Sequence, residues 1–302
     1  VILNIEADHL DFFKDLEDVK ASFRKFASLV PENGYIIANA EDKNTMDALA
    51  PLGRDIFTFL TGADVADIAD QTYTGSAITP DITVSYDGTE LVEGEDYVVS
   101  SYDNNENVST ASAKASITIT GKGVYSGTKK IEFNIVSASV SKAVVTGVED
   151  SVVYTGADIT FAGLAVTVSG RKLTAADYTV KYTNNRNAST TDSKAEILIT
   201  GKGNYTGEKI VQFVIEQKDI ADCTVQPISA QIYTGKAVEP EVTVADGANT
   251  LVKGTDYTVA YSNNIHAGTA TAVISGIGNY TGSRTVEYTI TEKSFDGVKG
   301  CC

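Results

Sequence analysis

Apolar residues recur at Phe12, Leu16, Val19, Phe23, Phe26 and Val30, with spacings that alternate between four and three. That rhythm lays them along one stripe of a helix and predicts a helix over residues 15–29. Pro31 and Asn33-Gly34 stop it. Ahead of it, Val1-Ile-Leu-Asn-Ile5 is a short apolar run that suits a strand buried on both faces of a parallel sheet. Behind it, Tyr35-Ile-Ile-Ala38 predicts a second buried strand, residues 44–50 a short helix, and Asp55-Ile-Phe-Thr-Phe59 a third strand. Strand, helix, strand, helix, strand is the order of a parallel α/β sheet.

Beyond about residue 63 the rhythm changes to alternation with a period of two. Asp81-Ile-Thr-Val-Ser-Tyr86, Leu164-Ala-Val-Thr-Val168 and Glu241-Val-Thr-Val244 read as strands. Asp87-Gly88 and Asp246-Gly247 fit tight hairpin turns, and Ser169-Gly170 replaces them in between. The same markers return three times in one order: Tyr-Thr-Gly at Tyr73, Tyr154 and Tyr233; Asp-Tyr at Asp96, Asp177 and Asp256; Asn-Asn at Asn104, Asn184 and Asn263. Gly-x-Gly followed by Tyr-x-Gly starts at Gly121, Gly201 and Gly276. The period is about 80 residues, enough for each copy to bury its own core. The third copy is four residues shorter between Asn-Asn and Gly-x-Gly.

The expected architecture is mixed. A short α/β fragment with a parallel sheet, residues 1–62, precedes three all-β, Ig-like sandwich-type repeats over 63–138, 139–218 and 219–292. Residues 293–302 form a tail ending in Cys301-Cys302. The joints at 136–142 and 216–222 are short and not Gly/Ser-rich, which predicts semi-rigid connections.

Chemistry in a parallel sheet gathers beyond the carboxyl ends of its strands. Glu6, Asp8, His9 and Asp11 lie past the first strand; Asn39, Glu41, Asp42 and Asn44 lie past the second. Such groups could hold Mg²⁺ or orient phosphates, or they could simply cap the next helix. In the repeats, Gly201-Lys-Gly-Asn-Tyr-Thr-Gly207 looks like a phosphate cradle but sits between two strands, so it reads as a turn. The tyrosines of Tyr-x-Gly could line a carbohydrate platform or pack inward. Asp103-Asn-Asn-Glu106 offers oxygens to Ca²⁺, yet the matching Thr183-Asn-Asn-Arg186 and Ser262-Asn-Asn-Ile265 have lost the carboxylates. His266 has no His or Cys near it in sequence. No repeat-domain site is expected.

Composition separates the halves. The chain carries 24 Lys+Arg against 40 Asp+Glu, a net charge of −16, which argues against nucleic-acid binding. The acidity is shared by both halves, so self-repulsion explains it better than a single binding surface does. Six of the ten Phe but one of the fifteen Tyr lie in the first 62 residues. No apolar run is long enough to span a membrane. Three cysteines, Cys223 alone and Cys301-Cys302 at the end, give no disulfide framework. The first residue is Val, so the chain reads as a piece of something longer.

Asn4-Ile-Glu-Ala-Asp-His-Leu-Asp11, with Phe-Phe-Lys-Asp-Leu and Ser22-Phe-Arg-Lys-Phe26 after it, resembles the Mur ligases in their central ATPase domain, through about Phe59. The resemblance implies a parent that makes an acyl phosphate from ATP and then an amide bond in peptidoglycan precursor synthesis. It places a Mg²⁺-binding role on His9, with Asn4, Glu6, Asp8 and Asp42 as weaker candidates. ATP and Mg²⁺ are the parent family's cofactors. Gly-Lys-Thr and Gly-Lys-Ser, needed to hold the phosphates, occur nowhere in the chain, so no cofactor and no ligase activity are expected as it stands.

The repeats, over about 70–292, resemble Ig-like or mostly-β repeats of bacterial surface and secreted proteins. That resemblance implies a spacer, stalk or adhesive role outside the cell, with cell-wall or host glycans and proteins as possible partners. The combined expectation is a structural or adhesive repeat region joined to a cytoplasmic, non-functional ligase remnant, through a partial or chimeric gene product. The rivals are a true ligase fragment, which acts in precursor synthesis, and a carbohydrate or host-matrix binding module.

Overall fold

The computed structural model describes residues 1–39, 42–54, 56–59 and 62–294. They fall into two compact units. One comprises Val1–Ser139 with Lys202–Thr206; the other comprises Val140–Gly201 with Gly207–Cys302.

The first unit opens with the α/β piece. Its first helix runs Leu16–Ser28, capped by Asp15, whose carboxylate accepts from the Asp18 amide at 3.0 Å. Glu17 and Asp18 in the first turn and Lys25 in the last turn match the helix dipole. Val19 and Ala27 are buried against Ile2, Ile5, Ile36, Ala48 and Leu49, with Leu16, Phe23 and Val30 half-buried beside them. The ends of the predicted stripe do not follow: Phe12 is 82% exposed and Phe26 66%. A second helix, Lys43–Leu49, runs into a 3₁₀ turn at Ala50–Leu52. Gly53 ends that turn with φ 61°, where a side chain would be strained.

The strands Ile36–Ala38 and Ile56–Phe59 pair in parallel, with Ile36 opposite Ile56. The opening run makes only a bridge, Ile2 to Ala38, closed by Ile2 N to Ile37 O and Asn39 N to Ile2 O. Ile2 and Ile5 point inward, but Leu3 is 63% exposed, so this segment is covered on one face rather than both. The other edge of the sheet is occupied. Thr58 and Phe59 pair in parallel with Tyr125 and Ser126 of the first repeat, which covers backbone groups that would otherwise template aggregation.

Each repeat is a sandwich of two sheets. In the third copy one sheet is Thr224–Val225, Val244–Asp246 and Asn249–Thr250. The other is Gln231–Ile232, Ser283–Thr291, Gly268–Gly276 and Tyr257–Ser262, in that order. The first strand of the larger sheet lies parallel to the last strand of the copy, and the remaining pairs are antiparallel. The second copy repeats this with Val144–Thr146, Ala165–Val168 and Arg171–Lys172 facing Ser151–Val153, Glu208–Glu216, Ala195–Gly201 and Tyr178–Thr183.

The first copy, in the other unit, uses Asp64–Val65, Val84–Tyr86 and Thr89–Glu90 with Thr128–Phe133, Ala115–Gly121 and Tyr97–Asp103. There Gln71–Thr72 lies parallel to Ile135–Val136. Alternation explains the cores. Ala195, Ile197 and Ile199 turn inward, as do Ala270, Ala272 and Ile274, and each fully buried Ile is worth roughly 2 kcal/mol.

The hairpin turns follow the sequence with one shift. Asp87 and Gly88, and Ser169 and Gly170, all have positive φ, as the tight turn demands. In the third copy Asp246 pairs with Asn249, so the turn is Gly247-Ala248 rather than Asp246-Gly247. Asp246 stays on the strand because its carboxylate is held there by Lys218 and Tyr280.

Candidate functional site

The strand-end cluster of the α/β piece is built around Asp42. One of its oxygens accepts from the Ile5 amide at 2.7 Å and the Thr45 amide at 3.1 Å, and also from the Thr45 hydroxyl. Burial pushes this carboxyl upward, but the bonds from Thr45, Ile5 and Asn44 outweigh it and hold the group below the ordinary aspartate range. Asn44 returns the tie, donating to Ile5 O at 2.9 Å. Asp42 is thus a helix cap that clamps two strand ends together.

The other candidates stay outside that clamp. Asn4 donates to Glu6 at 2.9 Å, both at the surface. Asp8 accepts from the His9 amide at 2.8 Å, and the His9 ring stands 3.8 Å from the same carboxylate, with both side chains more than three-quarters exposed. His9 has φ 52°, and its carbonyl accepts from the Phe12 and Phe13 amides. Glu41 lies outside the described residues. Among the described residues no three His, Cys, Asp or Glu side chains converge. Mg²⁺ needs a near-octahedral set of oxygens, and here one carboxylate is committed to a cap while His9 meets only its neighbour. The described residues alone do not present a Mg²⁺ ligand set.

The repeats place their marker residues in structural work. Asn104, Asn184 and Asn263 take the left-handed conformation, and the next asparagine of each pair donates to a carbonyl across the sandwich: Asn105 to Ile78, Asn185 to Ile159, Asn264 to Val238. Asp96, Asp177 and Asp256 each accept from a backbone amide three or four residues upstream and close a turn. Gly201 to Gly207 is a turn between strands, as expected. Tyr205 and Tyr280 are buried, so they pack rather than form a platform.

One arrangement recurs. In the first unit, Asn204 Oδ1 accepts from the Val108 amide at 2.9 Å and its Nδ2 donates to Asn107 at 2.9 Å. Ala138 and Ser139 pair with Tyr205 and Thr206, and the Tyr205 ring meets Tyr73 edge-on at 5.4 Å. In the second unit, Asn279 Oδ1 accepts from the Ala188 amide at 2.8 Å and its Nδ2 donates to Asn187 at 3.3 Å. Lys218 and Asp219 pair with Tyr280 and Thr281, and the Tyr280 ring meets Tyr154 edge-on at 5.6 Å. Gln217 adds bonds to the Gly278 and Tyr280 carbonyls at 2.8 and 3.2 Å.

The joint between copies two and three also holds a half-buried ion pair. Lys218 Nζ lies 2.6 Å from Asp246, whose other oxygen accepts from the Tyr280 hydroxyl at 3.2 Å. The Asp246 bond pushes Lys218 upward, while burial pushes Tyr280 well above its ordinary value. Reading the sequence by motif missed Asn204 and Asn279. The signal was there: the Asn after Gly-x-Gly is kept in copies two and three and is Val124 in copy one.

A protein-family model of the Mur ligase middle domain matches residues 1–101. The UDP-N-acetylmuramate–L-alanine ligase of Acetivibrio thermocellus is 56% identical over 59 residues, which is 20% of this chain and 13% of that protein. That of Caldicellulosiruptor saccharolyticus is 51% identical over 61 residues, again 13% of its length. The chain therefore spans about an eighth of the curated relatives it matches. Fifty-nine residues is the length of the chain through Phe59, where the α/β strands stop; from Asp64 onward the strands pair as repeats, although the family match runs on to 101. Among solved structures, domains 4–9 of the surface layer protein SbsC cover 78% of this chain at 14% identity with a TM-score of 0.22, over 48% of that chain. A protocadherin gammaB7 EC3-6 structure covers 76% at 11% identity and TM-score 0.21. A segment similar to the Mur ligase middle domain is thus joined, in one chain, to three tandem β-sandwich repeats.

Proposed function

We propose that this chain works through its repeats, as a structural spacer region of a bacterial surface or secreted protein, and that its Mur-ligase-like segment has no ligase activity. The observation that carries the spacer reading is the repeated joint. An asparagine, a tyrosine pair and a two-residue parallel pairing recur at consecutive copies. Side chains are thus spent on fixing one module to the next. Among the described residues no helix is long and apolar enough to cross a membrane.

The inactive reading rests on missing chemistry. The parent reaction needs the γ-phosphate cradled by backbone amides and a lysine, and neither Gly-Lys-Thr nor Gly-Lys-Ser is present. Among the described residues no three His, Cys, Asp or Glu side chains group at the strand ends. ADP release with UDP-N-acetylmuramate and L-alanine, measured against a no-substrate control, is expected to stay at background; product above it overturns this half. A glycan array probed with the full chain is expected to be blank. Reproducible binding there replaces the spacer reading with a carbohydrate-binding one. In-frame flanking DNA encoding an export signal or wall anchor supports the surface assignment, whereas an in-frame Gly-Lys-Thr loop upstream supports the ligase.

A further inference from the structure

The third copy ends in the same surface that the first two use to receive their successors. The registers align it residue by residue. Ser109 and Ser189 donate to Ile135 and Ile215, and Gly268 pairs with Ile290 at the same place. Ala267 therefore corresponds to Val108 and Ala188, and His266 to Asn107 and Asn187. Tyr73, Tyr154 and Tyr233 each donate their amide to the last strand, at Val136, Glu216 and Thr291. Residues 263–269 line an open depression of about 470 Å³. No described residue accepts from the Ala267 amide.

The chain after Thr291 keeps the register of a new copy. Glu292-Lys293-Ser294 stands where Gln217-Lys218-Asp219 stands, and in sequence Phe295 and Val298 fall at the places of Ile220 and Cys223. Both joint-forming asparagines in this chain are already engaged, and Val124 has no side-chain amide to offer. A second molecule of this chain therefore lacks a free turn of the right chemistry.

We infer that the end of copy three formed by Tyr233, His266 and Ala267 is the acceptor face for a fourth module of the same class, one bearing Asn in its Gly-x-Gly-Asn-Tyr turn. That Asn Oδ1 accepts from the Ala267 amide, its Nδ2 donates to a His266 ring nitrogen, and its Tyr ring meets Tyr233 edge-on. The inference rests on the module reading of the repeats and is independent of what, if anything, they bind.

The test extends the chain in register, with residues 224–292 placed directly after Val298. Amide exchange at Ala267 is expected to slow at least tenfold when the added turn carries Asn, and to stay fast when that Asn is replaced by Val. An added module whose own inner-strand amides are protected while Ala267 exchanges as before overturns the proposal. So does the unextended chain, if Asn279→Val leaves exchange at Ala188 unchanged, because the joint chemistry would then not exist. Slowing by both the Asn and the Val modules also overturns it, since contact without the amide would suffice.

Discussion

Asn279 Oδ1 lies 2.8 Å from the amide of Ala188, ninety-one residues earlier in the chain. A single side chain from one sandwich therefore completes the backbone hydrogen bonding of a loop in the sandwich before it. Buried or half-buried amides need partners, and a joint that supplies one is specific in a way that an apolar contact is not.

Asn279→Ala removes that bond and the bond to Asn187. With a net value near 1 kcal/mol per hydrogen bond, the loss is expected to be about 1–2 kcal/mol in urea unfolding of the second unit. A loss below the error of the extrapolation refutes the joint as a stabilising element.

The pair Lys218–Asp246, with Tyr280, gives an alkaline signature. Hydrogen bonding to Asp246 raises Lys218 and burial raises Tyr280, so both hold their protons more tightly folded than unfolded. Their contribution is complete below the unfolded values, about pH 10, and is lost as pH rises through the folded ones. Stability of the second unit should therefore fall above about pH 10, and Tyr280→Phe should flatten that fall. Asp246→Asn should cost about 2 kcal/mol near neutrality, the usual loss for a hydrogen bond to a charged group.

Asp42 predicts the opposite pH sense. Its carboxyl is held below the ordinary range, so its contribution is present above the unfolded value and lost as pH falls through the folded one. Asp42→Ala should cost about 1 kcal/mol or more, as a lost N-cap does, and loosen the Ile5 amide. Exchange at Ile5 and Thr45 reports it; rates equal to those of the unchanged chain would contradict the clamp.

Cys223 is buried, and burial pushes its thiol upward, so the reactive thiolate is scarce. In a chain carrying Cys301→Ser and Cys302→Ser, a thiol reagent at pH 8 should label Cys223 only after denaturant is added. Rapid labelling of the folded chain would show that this end of the core opens readily.

Ser116 Oγ is buried without a hydrogen-bond partner. Ser116→Ala should leave stability unchanged or raise it by up to about 1 kcal/mol, because the hydroxyl is desolvated without return. A clear loss in thermal unfolding would mean that the hydroxyl has a partner after all.

Local pattern sufficed for much of this protein. The alternation of four and three around Leu16, Val19 and Phe23 specified a helix within a residue of its ends, and capping was one of the two roles open to the acidic loop that holds Asp42. The tyrosine, aspartate and asparagine markers specified three copies of one β-module, because strand period and turn chemistry are written in neighbouring residues. What the sequence left open depended on which distant groups meet. Phe12 and Phe26 belong to the helical stripe but remain exposed, although the Phe12 ring meets Phe13 edge-on. Asp246 looked like a turn residue until Lys218 and Tyr280 held it on a strand. Asp8 and His9 follow the first predicted strand and Asp42 the second, yet the first two meet each other and the third caps a helix. Asn204 and Asn279 gain their roles only across about ninety residues of chain. Periodicity fixes secondary structure because it acts between near neighbours; pairing of polar groups is settled by tertiary geometry, since each buried donor or acceptor must find its partner wherever the fold brings one.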